Sequence, residues 1–158
     1  MGYKVFLSHS THDWGLVISL SNLLSQFGIE VAVAEWYLTP GEQISQRIFQ
    51  KIKECDCVVV LLTKNGMRSK WVQQEIGHGL SMTKPVIPLV EKGTVPEQLG
   101  HLQNYPRIEY DPFQPQDALL KTSTFVKSLK LKKEEQEKAL LVAGGLIAFL
   151  LLLAGSEK

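Results

Sequence analysis

Val58-Val59-Val60-Leu61-Leu62 is apolar at every position. A strand with one wet face alternates apolar and polar side chains. A strand covered on both faces reads instead as an unbroken apolar run, as the central strands of parallel sheets do. Parallel neighbours cannot be joined by tight turns, so each pairing needs a crossover, usually a helix. The residues on either side of this run supply that alternation of strand and helix.

Tyr3-Lys4-Val5-Phe6-Leu7-Ser8 reads as a buried first strand. Ser10 or Thr11 can cap a helix whose first turn holds Asp13. Trp14, Val17, Ile18, Leu20, Leu24 and Phe27 recur at helical spacing until Gly28 ends the run. Ile29 to Ala34 is a second strand, and Glu35 to Gly41 a loop punctuated by Pro40-Gly41. Ile44, Ile48, Phe49 and Ile52 mark a second helix before the central run, and Met67 to Met82 a third after it. Pro85 to Val90 is a fourth strand, Glu97 to Leu102 a short helical turn, and Arg107 to Tyr110 a fifth strand at an edge. Gln116 to Leu129 closes the sequence of elements as a helix. No internal repeat is present. The expected class is α/β: a flavodoxin-like five-stranded parallel sheet, order 2-1-3-4-5, flanked by helices and followed by a C-terminal hydrophobic helix.

With 158 residues, 44% of them hydrophobic, the chain is long enough for one domain with a packed core. A net charge of +1 gives no strong pull on nucleic acid. The two cysteines, Cys55 and Cys57, stand two apart along a strand, which holds their Cα atoms about 6.6 Å apart, at the far limit of disulfide geometry; this disfavours a disulfide and suits a reducing compartment. The N-terminus lacks the apolar stretch of a signal peptide. Gly2 invites a myristoylation reading, which Phe6 in place of Ser or Thr argues against.

Ala139 to Gly155 is apolar without interruption. Core helices usually keep a polar face, and this stretch has none. The expected organisation is therefore a domain over residues 1–130, a charged juxtamembrane linker over 131–138, and a transmembrane helix over 139–155. Lys127, Lys130, Lys132, Lys133 and Lys138 precede the apolar stretch and only Lys158 follows. The positive-inside rule then expects a single-pass C-terminal anchor with the domain in the cytosol.

In the expected sheet, a crevice opens at the carboxyl ends of strands one and three. Ser8 and His9 leave strand one there, Glu35 to Gly41 leaves strand two, and the third helix brings Trp71 and Glu75. Those two residues are four apart, so they stand one above the other on one helix face. Each has a plainer reading: Glu75 as a solvated acid, Trp71 as core packing, His9 as a loop residue with a backbone partner. His78 makes Glu-x-x-His with Glu75, but a second such pair is missing, so no metal is expected. His9, His12 and Asp13 suggest a ligand cluster, and helix capping by Asp13 is the simpler account. Trp36, on an exposed loop, is of the type that marks contacts.

The stretches FLSHSTHD (Phe6 to Asp13), AEWYLTPGEQI (Ala34 to Ile44) and SKWVQQEIGHG (Ser69 to Gly79), in that order and spacing, resemble a Toll/interleukin-1 receptor (TIR) domain of the prokaryotic NAD-cleaving type. The resemblance covers about Gly2 to Leu129. Phe6-x-Ser8-His9 resembles the family's opening strand, Glu35 to Gly41 its BB loop with Leu-x-x-Gly on Leu38 and Gly41, and Trp71-x-x-x-Glu75 the motif of its NAD-cleaving branch. One departure stands in the loop, where many prokaryotic members have an acid at the position of Ala34. The resemblance implies NAD+ nucleosidase activity, with NAD+ as substrate, no cofactor, and nicotinamide plus ADP-ribose or a cyclic isomer as products, in defence or signalling. It implies Glu75 as the catalytic residue and Ser8, His9, Trp36, Leu38 and Trp71 as substrate-binding residues. Self-association or pairing with other TIR domains through Glu35 to Gly41 is implied as well. The alternative is a TIR adaptor that signals by pairing and performs no chemistry.

Overall fold

A computed structural model describes residues 2–9, 13–33, 50–64, 84–94 and 107–156 of the chain. Five strands run Tyr3–Ser8 (β1), Ile29–Val33 (β2), Cys57–Leu62 (β3), Val86–Glu91 (β4) and Ile108–Tyr110 (β5). They form one sheet in the order β2-β1-β3-β4-β5, and every pairing is parallel. This is the expected flavodoxin-like sheet order, flanked by helices.

The apolar run behaves as its composition requires. All six residues of β3 are buried, with β1 and β4 flanking it on its two edges. β1 is buried except at Lys4, and its Val5, Phe6, Leu7 and Ser8 lie in register with Cys57, Val58, Val59 and Val60. At the amino ends the two strands are clasped twice. Asp56 donates its amide to the Lys4 carbonyl at 2.7 Å, and its carboxylate accepts the Lys4 amide at 2.8 Å.

Proline in an inner strand needs explaining, because it cannot donate to the ladder. Pro88 lies opposite Val60 of β3, one residue before β4 begins to pair with β5 at Leu89 and Ile108. The missing N–H therefore falls where β5 has not yet begun.

Helix α1 spans Trp14–Gln26 and buries Val17, Leu20, Ser21 and Leu24, a stripe at helical spacing. Trp14 and Ile18 of the expected stripe lie on its flank and are partly exposed. The helix ends as its sequence suggests. Phe27 and Gly28 donate to the carbonyls of Leu24 and Ser25, and Gly28 takes φ 71°, a left-handed conformation that a Cβ disfavours. Gly28→Ala is expected to cost about 1–2 kcal/mol in urea unfolding.

Cys55 and Cys57 are both free and buried, at the amino end of the sheet. Burial pushes the Cys55 thiol up to about 11 and the Cys57 thiol up to about 12. The Tyr3 phenol, hydrogen-bonded to Cys57, is raised by burial first and by the nearby thiol second. A folded state that holds these protons more tightly than the unfolded chain has this stability in full below about pH 9, the ordinary thiol value. It loses it as pH rises through 11 and 12. The urea midpoint of the wild type should therefore fall more steeply between pH 9 and 11 than that of a Cys55→Ala, Cys57→Val variant.

The chain divides into two compact units, Met1–Thr124 and Phe125–Lys158. A single helix, α2, runs Pro115–Ser156. In the first unit it buries Ala118, Leu119, Thr122 and Ser123, with the Thr122 hydroxyl donating to the Ala118 carbonyl at 2.7 Å. In the second it carries the pairs Lys130–Glu134 and Lys133–Glu137, one turn apart.

The expected transmembrane helix over 139–155 is not found. Among the described residues no helix is long and apolar enough to cross a membrane. At 1.5 Å per residue the apolar stretch from Ala139 to Gly155 rises about 25 Å, less than a hydrocarbon core of about 30 Å. It also continues directly from the Lys- and Glu-bearing turns before it rather than standing as a separate helix. The expected membrane partner and the expected location as a single-pass C-terminal anchor fall with it.

Candidate functional site

The carboxyl ends of adjacent parallel strands deliver the residues of interest. β1 ends on Ser8, in register with Val60, and the next residue is His9. β3 ends on Leu62, followed by Thr63 and Lys64. Ser8 is fully buried, and its hydroxyl finds no hydrogen-bond partner among the described residues. His9 is 7% exposed. Its ring meets that of Trp14, the first residue of α1, with centroids 5.9 Å apart and planes tilted by 48°.

Asp13 occupies the N-cap position of α1, but its side chain makes no capping hydrogen bond, contrary to expectation. Its carboxylate is turned instead to the Thr63 hydroxyl, which donates to it at 2.6 Å. Asp13 is 7% exposed and Thr63 4%, so the bond is shielded from water. A hydroxyl donated to a carboxylate at this length is a charge-assisted bond, stronger than the neutral kind. A cap would have satisfied one amide within the helix, whereas this bond joins residues 50 apart in sequence.

The rim continues along β4 and β5. The Glu91 carboxylate accepts the Lys64 amide at 2.9 Å, tying the exit of β3 to the end of β4. Tyr110 closes β5, and burial raises its phenol pKa, with the negative charges of Glu91, Asp13 and Asp111 adding to the effect. Lys64, Glu91, Lys92, Asp111, Pro112 and the almost wholly exposed Phe113 line a cleft there.

The structure thus places Ser8 and His9 together at the carboxyl end of β1, the end of the sheet where the crevice was expected. Glu75, Trp71, Trp36, Leu38 and the loop from Glu35 to Gly41 lie outside the described residues. Among the described residues no group of three His, Cys, Asp or Glu side chains is placed to hold a metal ion. Thr63 escaped the sequence reading. The available signal was its position, as the first polar residue after a central apolar strand, where parallel sheets present their functional groups.

The TIR domain family model matches residues 5–121. A curated relative from Methanobrevibacter olleyae, named "Probable 2' cyclic ADP-D-ribose synthase TcpO", is 32% identical over 74 residues, covering 46% of this chain and 22% of its own length. A second from Brachypodium distachyon, named "Probable 2' cyclic ADP-D-ribose synthase BdTIR", is 25% identical over 89 residues, covering 55% of this chain and 40% of its own. The chain therefore matches well under half the length of either relative. Among solved structures, the TIR domain of the Toll-related receptor TRR-2 from Hydra magnipapillata superposes with a TM-score of 0.58 at 19% identity, covering 85% of this chain and 97% of the other. At that identity the likeness is one of fold.

Proposed function

The chain belongs to the TIR-domain family, and on that premise we propose that it cleaves the bond between nicotinamide and ribose in NAD+. The observation that carries the reading is the family match over residues 5–121, a span that contains Trp71 and Glu75 four residues apart in sequence. The names of the two curated relatives, both cyclic ADP-D-ribose synthases, support it.

The chemistry asks for little machinery. When the C–N bond breaks, its electron pair passes to the pyridinium nitrogen, so nicotinamide leaves neutral and needs no general acid. Positive charge moves to an oxocarbenium-like ribose, as in other glycosidic cleavages. One carboxylate suffices to stabilise that cation, and Glu75 is assigned this role. Water attacking the ribose carbon gives ADP-ribose, and an internal hydroxyl gives a cyclic isomer. Trp71 walls the ribose or nicotinamide pocket, Ser8 and His9 meet the substrate from the first loop, and Trp36 and Leu38 contact the nucleotide or a neighbouring copy. NAD+ is substrate, and no cofactor takes part. Self-association, or pairing with other TIR domains, runs through Glu35 to Gly41.

The test is release of nicotinamide from NAD+ by the purified chain at high concentration, beside the Glu75→Ala variant. If both are equally inert, the enzymatic reading is lost. Binding to a second TIR domain that survives Glu75→Ala would then favour the adaptor.

A further inference from the structure

Two described contacts and one peptide bond form a chain from the exit of β3 to His9. Thr63 donates to Asp13 at 2.6 Å, Asp13 adjoins Trp14, and the Trp14 ring meets the His9 ring at 5.9 Å. Asp13, Thr63 and His9 are all buried. The carboxylate gives up the local cap that its position offers and spans two crossover junctions instead. That bond fixes where α1 begins relative to the end of β3, and so where Trp14 can hold the His9 ring.

We propose that Asp13 and Thr63 are positioning residues for substrate binding, acting through Trp14 on His9. This rests on the NAD+ reading, in which His9 contacts the substrate. A group that touches substrate equally in the ground and transition states lowers KM and leaves kcat alone, so loosening it raises KM. A hydrogen bond with no role beyond stability would alter the folded fraction and leave KM unchanged.

The test compares Thr63→Val, which keeps the shape and removes the donor, with Thr63→Ser, which restores the donor. Asp13→Asn is the parallel variant should Thr63→Val fail to fold. The ring proton of His9, shifted by the Trp14 ring current, is followed by NMR without substrate and assigned with His9→Gln. The KM and kcat for NAD+ are measured on the same samples. Thr63→Val is expected to move the His9 signal toward its free value and to raise KM about tenfold with kcat within about twofold, the scale of one lost charge-assisted bond. Thr63→Ser should return both to near the wild-type values. An unmoved His9 signal, an unmoved KM, or a loss that only follows the folded fraction would overturn the proposal. A wild type that cleaves no NAD+ removes the functional reading, while the His9 signal still decides whether the pair positions that ring.

Discussion

Replacing Glu75 with Ala is expected to lower nicotinamide release from NAD+ by about 10²–10³-fold, the scale on which one preorganised electrostatic stabiliser acts. Glu75→Gln should fall nearly as far, because it keeps the shape and hydrogen-bonding reach of the side chain but removes the charge that a ribosyl cation needs. The two variants together separate charge from packing. KM should change less than kcat in both, since the cation exists only in the transition state. Equal activity in Glu75→Gln and wild type would mean that the carboxylate charge has no part in the step. Chromatography of the wild-type products then distinguishes ADP-ribose from a cyclic isomer.

Phe6→Ala should have the largest effect on stability, about 3–5 kcal/mol in urea unfolding. Phe6 is fully buried on β1, opposite Ala32 of β2 and Val58 of β3. Removing its ring opens a cavity at the middle of the sheet, where neighbours on both edges limit collapse. Against a total of about 5–15 kcal/mol for a domain, that removes a large fraction of the stability. Phe6→Leu fills most of the same space and should lose far less. A drop below 1 kcal/mol for Phe6→Ala, by contrast, would mean that the site repacks or that β1 is not central.

The sheet was legible because burial on both faces leaves its own mark. The unbroken run at Val58 to Leu62 requires neighbours on each edge and cover on each face, and β3 has them. Gly28 was legible as a stop because a left-handed residue is needed there. Asp13 was misread because a local capping bond and a distant Thr63 compete for one carboxylate, and sequence spacing displays only the first. Ser8 was legible as the carboxyl end of β1, but not as fully buried, since depth depends on the elements packed over it. The apolar tail was misread because the absence of a polar face does not by itself set a sufficient length.

The clasp between Lys4 and Asp56 bears on how the chain acquires its fold. Each pairing in the sheet is parallel, so no strand meets its neighbour through a hairpin, and β1 meets β3 only across some fifty residues. Closing such loops costs entropy before any contact repays it, which slows folding relative to chains built from local contacts. During synthesis β1 can find β2 once residue 33 is free of the ribosome. Until β3 emerges, however, the inner edge of β1 exposes Phe6 and Leu7 with no strand beside them. The first sixty residues are therefore the interval in which a nascent chain of this fold is most open to misassociation and to capture by chaperones.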